Sequence, residues 1–225
     1  MLFFNSQNTI SQQQPVFVEI KDGLKAHWLL NGNAEDTSGN GWNGIIHGAT
    51  PTTGRFNEPN GAMLFGEGDV IEIPNPSGFL NQAKISVSLW LYSTNIVESR
   101  FQALFSKHSS GRHIVITLDA NLNNPKFHIH NNVFAGVSSS ENVVLNKWTH
   151  IVATISDSNE ASIYIDGELK GRNAMSDTPR FFSSNVSIGN FSSRGGSSYD
   201  FDGKITDVRV FDRVLTDSEI TLLSQ

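Results

Sequence analysis

From Phe17 onward, short apolar runs recur along the chain, separated by Gly, Asn, Pro and Ser. The strongest are AHWLL, AMLF, VIEI, ISVSLWLY, FQALFSK, HIVITLD, KFHIH, WTHIVATIS, ASIYID, ELKG, VSIGN and DVRVFD. Several alternate with period two: Ile85, Val87 and Leu89 fall on one side of a strand, Ser86, Ser88 and Trp90 on the other. In IYIDGELKG, Asp166–Gly167 stands between two such runs, the dipeptide a type I′ hairpin turn prefers. One helix is predicted, at the C-terminus. TDSEITLL offers Thr216 as N-cap and Glu219 three residues later, a capping box, with Leu215 and Ile220 as a hydrophobic staple. Many strands and one short terminal helix predict an all-β, two-sheet antiparallel sandwich. Residues 1–16 are polar and Gln-rich and read as a tail; residues 17–225 show no internal break and read as one domain.

Composition narrows the function classes. The chain has 225 residues, of which 17% are charged, and a formal net charge of −6. An acidic balance argues against a nucleic-acid footprint and against a basic membrane-surface patch. There are no cysteines, which removes disulfides, thiol catalysis and zinc–thiolate sites. No apolar run reaches the roughly 18–20 residues of a membrane span. The start, MLFFNSQNTISQQQPVF, has no basic region and does not read as a signal peptide.

The order of several segments resembles the bacterial laminin-G-like modules of the concanavalin A-like lectin/glucanase superfamily. AHWLLNGNAEDTSGNGWNGIIHGATPTTGRFNEPNGAMLFGEGDVIEIP is similar to that family's aromatic strand, D-x-S-G-N loop, T-G-R turn, A-x-x-F-G-x-G strand and I-x-I-P strand. ISVSLWLY is similar to its Trp-bearing strand, and NKWTHIVATIS with ASIYIDGELKG to its W-T-H hairpin. FDGKITDVRVFDRVLTDSEI is similar to its closing strand and helix. The resemblance covers about residues 18–225 and implies a jelly roll of two antiparallel sheets, each of about six or seven strands. Lectins, adhesion modules, carbohydrate-binding modules, hydrolases and lyases share that fold, so function has to be argued from sites. The resemblance also implies an extracellular or cell-surface setting.

Hydrolases of this fold carry E-x-D-x-E on one strand, so that the acids face the substrate together. The nearest stretch is FGEGDVIEIP. Glu67 and Asp69 share a parity, but Glu72 lies three residues past Asp69 and faces the other way. Lyases of this fold carry a Q-I-H-like strand; FHIH has His128 and His130 on one face, with no Tyr/Lys-rich partner strand and no evident third metal ligand. The two histidines read as polar residues lining a sheet face or its rim. There is no G-x-S-x-G, and SSRGGSSYDFDG lacks the Lys of a P-loop. No catalytic residue is assigned, and the chain is not expected to be an enzyme.

A sugar site needs exposed aromatic rings and a few placed polar groups. Trp28, Trp90 and Trp148 lie in strands and are expected in the core. Trp42 and Tyr199 lie in loops and are the candidate platform, with Arg194 as a candidate ligand contact. Phe134, Phe181 and Phe191 read as staples between loops and core, and Arg112 and Arg180 as exposed charges. The expected function is a non-catalytic module that binds carbohydrate or a cell-surface glycan. The alternatives are a polysaccharide hydrolase or lyase with a degenerate motif, or a structural adhesion or spacer domain.

The loop NGNAEDTSGNGWNG is too long for a plain turn and too aromatic for a linker. Two readings explain a fixed shape. In one, a structural calcium ion takes the Asp36 carboxylate and carbonyls of Gly39, Asn40 and Trp42. The resemblance adds Asp207 on the closing strand as the shared ligand, with Asp202 and Glu35 as weaker candidates. In the other, Asp36 makes an Asx-turn with its own backbone.

Overall fold

Ile85, Val87, Leu89 and Leu91 pack into the central core, while Ser86, Ser88 and Trp90 face the opposite way, so the alternation in ISVSLWLY marks the two sides of a real strand. The computed structural model describes residues 19–74, 84–96, 100–109, 112–120, 123–131, 134–175, 184–191 and 199–225. The expected tail, 1–16, lies outside them.

Among the described residues there are fifteen strands in two antiparallel sheets. The first sheet contains β1 (Leu24–Trp28), β3 (Thr50–Thr52), β4 (Ala62–Phe65), β6 (Ile85–Ser93), β11 (Trp148–Ile155), β12 (Glu160–Ile165), β13 (Glu168–Ala174) and β15 (Gly203–Phe211). Its order is β13-β12-β11-β6-β15-β4-β3, with β1 also paired to β15. The second contains β2 (Ile45–His47), β5 (Val70–Ile73), β7 (Gln102–Ser109), β8 (Arg112–Leu118), β9 (Pro125–Asn131), β10 (Phe134–Ser138) and β14 (Val186–Ile188). Its order is β10-β9-β8-β7-β14-β5-β2. Sequence-distant strands lie side by side, as in a jelly roll. The last strand, β15, runs between β6 and β4 and also holds β1.

The inner faces share one core that includes Trp28, Phe65, Phe105, Phe127, Phe201 and Val208. The β12–β13 hairpin turns at Asp166 (φ 48°) and Gly167 (φ 87°), the two positive φ values of a type I′ turn. The helix, α1 (Asp217–Leu223), has the expected capping box between Thr216 and Glu219.

Helix α1 covers the outer face of the eight-stranded sheet. Leu215, Ile220 and Leu223 pack on Val152, Tyr164 and Phe211, outside the eight-stranded sheet. Trp90 donates its indole N–H to the Leu223 carbonyl at 3.3 Å. Trp90 is therefore buried, but under the helix and not in the central core where sequence placed it. Trp148 is only half-buried, edge-on to Tyr92 at 5.6 Å. On the same covered face, Ser88 Oγ and His150 Nε2 meet at 2.8 Å, both buried.

Candidate functional site

The outer face of the seven-stranded sheet carries the candidate site. On β8, Ile114, Ile116 and Leu118 point into the core, so His113, Val115 and Thr117 point out. On β9, Phe127 and Ile129 point in, and Lys126, His128 and His130 point out. Strand register then sets His108, His113 and His130 in one row across β7, β8 and β9. The His113 and His130 rings stack at 5.2 Å with 14° between planes.

Phe191 and Tyr199 come from outside the sheet and lie over this row. Phe191 is 4.7 Å from the His108 ring and 5.2 Å from His113, and Tyr199 is 4.8 Å from Phe191. From the other side, Phe101 meets His128 edge-on at 6.3 Å. Between them is a cavity of about 130 Å³, lined by Phe101, His113, Val115, Thr117, His128, Phe191 and Tyr199.

Its electrostatics are close to neutral. Burial pushes the His113 imidazole down to about 4, aided by the neighbouring His130 and His108. Burial likewise pushes His128 down to about 4, with Lys126 and His113 adding to the effect. Both rings are uncharged at pH 7. Lys126 is ion-paired with Asp119 and sits 5.4 Å from the Phe101 ring centroid. Arg100 lies 3.7 Å from the Asp200 carboxylate.

The sequence reading named Tyr199 as a loop platform, placed His128 and His130 on a sheet face or its rim, and took Phe191 as a staple; the structure makes Phe191 part of the cavity wall. It did not nominate Phe101, His113, Val115 or Thr117. Arg180, Phe181 and Arg194 lie outside the described residues, as do the side chains of Arg112 and Phe134.

Trp42 is elsewhere, half-buried against the core. Its carbonyl accepts the indole N–H of the fully buried Trp28 at 2.7 Å, so it is an anchor for its loop and not an exposed platform. Asp36 organises that loop. Its Oδ1 accepts the backbone N–H groups of His27 (3.0 Å) and Ser38 (2.9 Å). Its Oδ2 accepts the Ser38 hydroxyl (2.9 Å) and the Trp42 N–H (3.0 Å). Burial alone would raise this carboxyl, but those bonds outweigh it and hold it below its ordinary range. Gly39 (φ 89°) and Gly41 (φ 81°) supply the left-handed turns. The Asn40 amide donates to the Lys25 carbonyl at 3.1 Å.

This donor set does not fit a calcium ion shared by Asp36 and Asp207. A carboxylate has about four lone-pair sites, and protein N–H and O–H groups already occupy that many on Asp36. Asp207 faces a cation instead: Arg209 donates to it at 2.7 and 3.0 Å. Asp202 accepts from Thr94 at 2.8 Å, and Glu35 is exposed. Among the described residues, no three His, Asp or Glu side chains converge on a metal position. The Ser38 N–H bond to Asp36 is the Asx-turn of the second reading.

The acids of the E-x-D-x-E-like stretch are likewise dispersed. Glu67 and Asp69 lie in the turn between β4 and β5, where Asp69 accepts the Gly66 N–H at 2.9 Å. Glu72 is on β5, 3.5 Å from His47.

Residues 65–221 match the family described as the concanavalin A-like lectin/glucanases superfamily. The chain belongs to that superfamily. No curated protein matches it in sequence. Domain 4 of AbnA, an extracellular GH43 arabinanase of Geobacillus stearothermophilus solved with arabinotriose, superposes with a TM-score of 0.74 at 20% identity, covering 90% of this chain and 98% of that one. The binding domain of Paraclostridial Mosquitocidal Protein 1 gives a TM-score of 0.71 at 16% identity, covering 91% and 52%. A Trypanosoma rangeli sialidase gives 0.67 at 19% identity, covering 90% and 32%. The chain thus spans nearly all of the arabinanase domain, about half of the toxin binding domain and a third of the sialidase. At these identities the likeness shows the fold. Among the described residues, no helix is long and apolar enough to cross a membrane.

Proposed function

We propose that this chain is a non-catalytic carbohydrate-binding module, and that sugar binds on the outer face of the seven-stranded sheet. One observation carries the reading: Phe101, Phe191 and Tyr199 stand around a cavity floored by imidazoles and the Thr117 hydroxyl. Aromatic rings stack on the apolar faces of sugar rings, and a few polar groups fix orientation. Among the described residues, no helix covers this face, whereas α1 packs on the opposite sheet. The arabinotriose complex of the similar arabinanase domain supports a sugar ligand, and that enzyme's extracellular setting supports a location outside the cell. The scattered positions of Glu67, Asp69 and Glu72 support binding without hydrolysis.

The test is a glycan array followed by calorimetry on the purified protein, Phe191→Ala and Tyr199→Ala. We expect wild type to bind a defined set of glycans without releasing reducing ends, and each substitution to weaken binding at least tenfold. Wild-type binding unaffected by both substitutions would move the site elsewhere. Polysaccharide cleavage would replace the reading with an enzyme.

A further inference from the structure

The Thr117 hydroxyl is a polar group on the cavity lining that the described fold does not use. Thr117 is 3% exposed, and among the described residues its Oγ1 has no hydrogen-bond partner. A buried hydroxyl without a partner costs free energy, so native structures seldom keep one. Here it lies on the cavity lining between Val115 and the Phe101 side, where a bound molecule could supply both a donor and an acceptor. The cavity is small. About 130 Å³ is below the roughly 300–1,000 Å³ of sites for drug-sized ligands. It holds about one sugar ring, not an oligosaccharide. The described walls carry no unbalanced charge: Lys126 is matched by Asp119, and Arg100 by Asp200. Among the described residues, no unmatched cation would replace the water that a carboxylate or sulfate loses on entering this space.

We infer that the cavity takes a single uncharged sugar residue, with Thr117 Oγ1 as its buried hydrogen-bond anchor and Phe191 and Tyr199 as the stacking wall. The inference rests on the binding reading above and adds the ligand class and a specificity-determining residue. The arabinose unit is one such sugar. Any further units of a chain lie outside the cavity and contribute less.

The experiment uses Thr117→Val, which keeps the shape and removes the hydroxyl. Calorimetry and saturation-transfer NMR are run with arabinotriose, methyl β-xyloside and methyl β-galactoside as neutral probes, and glucuronic acid and N-acetylneuraminic acid as acidic ones. We expect at least one neutral probe to bind, the acidic probes not to, and Thr117→Val to weaken binding roughly two- to tenfold, the worth of one hydrogen bond. Without ligand, Thr117→Val should melt at or above the wild-type temperature, because it removes an unpaired buried group. A lower melting temperature would show that the hydroxyl has a structural partner and would overturn the inference. So would acidic probes binding better than neutral ones, or neutral probes binding equally to both proteins. If no probe and no array glycan binds wild type, the binding reading itself falls; if glycans bind but ignore Thr117, only this inference does.

Discussion

The imidazole Nε2 of His27 lies 2.8 Å from Oδ1 of Asp207, a residue 180 positions later. Asp207 reaches it because β15 is irregular there. Pairing with β6 shifts register between Thr206 and Arg209, and Asp207 sits in the left-handed region at φ 50°. A β-bulge of this kind re-aims a side chain. The same carboxylate accepts two bonds from the Arg209 guanidinium, and both residues are buried. Burial would raise the Asp207 carboxyl, but the His27 bond and the Arg209 charge hold it far below its ordinary range. His27 also donates its backbone N–H to Asp36. One residue thus links the early loop to the last strand, the connection that the calcium reading of the loop gave to an ion.

Removing one partner of a buried ion pair is costly because the other charge stays buried. Asp207→Ala should destabilise by about 3–5 kcal/mol. His27→Ala leaves the Arg209 pair in place and should cost about 1–2 kcal/mol. Urea unfolding of both variants checks the ranking, and equal losses would contradict it.

Asp36→Ala should cost about 2–4 kcal/mol, since it leaves three backbone N–H groups and a hydroxyl without their acceptor. Asp36→Asn keeps an oxygen and should lose less. Calcium and EDTA should leave the wild-type melting curve unchanged, because the carboxylate is already filled by protein donors. A calcium-dependent rise in melting temperature that disappears in Asp36→Ala would restore the ion.

How far the sequence revealed this molecule depends on which physical signal each part carries. Long strands with period two, such as β6 and β11, and the capped helix were legible. Three strands were not. Strands β2 and β3 are three residues each and largely exposed, and β3 contains Pro51 at a sheet edge, so neither has an apolar pattern to read. Strand β10 contains Gly136, where a Cβ would come within 2.6 Å of the Phe127 carbonyl; the packing demands Gly, and Gly reads as a break. The site was half legible. Loop aromatics and the His-x-His pair stand out, but Val115 faces outward in a strand whose inward residues are Ile114, Ile116 and Leu118, so parity there cannot mark the open side. The Asp36 loop presented oxygens suitable for two partners, and only the direction of its hydrogen bonds separates them.

Stability should fall on mild acidification. Burial lowers His113 and His128 to about 4 and His150 to about 3, and it lowers His108 as well. In the unfolded chain these imidazoles titrate near 6.5. Between about pH 6.5 and pH 4 the unfolded state therefore binds more protons, and stability rises with pH across that window. We expect the melting temperature to drop steadily from pH 7 to pH 4, at about 2–4 °C per kcal/mol for a chain of this size. His150→Gln should flatten part of the slope. A melting temperature constant from pH 7 to pH 4.5 would show that these rings are not shielded. Sugar binding at the cavity should follow the same sign, holding near neutral pH and weakening as His113 and His128 take up protons near pH 4.

The strongest test of the architecture is at the C-terminus. Strand β15 pairs with β1, β4 and β6, so deleting residues 203–225 removes a central strand and leaves the edges of its neighbours unpaired. It also deletes Ile205, Val208 and Val210 from the core. That truncation should abolish cooperative unfolding and near-UV circular dichroism across the whole chain, not trim an appendage. Deleting only residues 216–225 is a different perturbation. It keeps β15 and the central core but uncovers Phe211, Val152 and Trp90, which α1 packs against. The shorter truncation should stay folded, melt lower and bind the dye ANS, because a contiguous apolar patch becomes exposed. The cavity is on the other sheet, so its sugar binding should persist wherever the protein remains folded. Loss of binding with the fold intact would show that the two outer faces are coupled; a native near-UV spectrum after removal of residues 203–225 would mean that β15 is not structurally central.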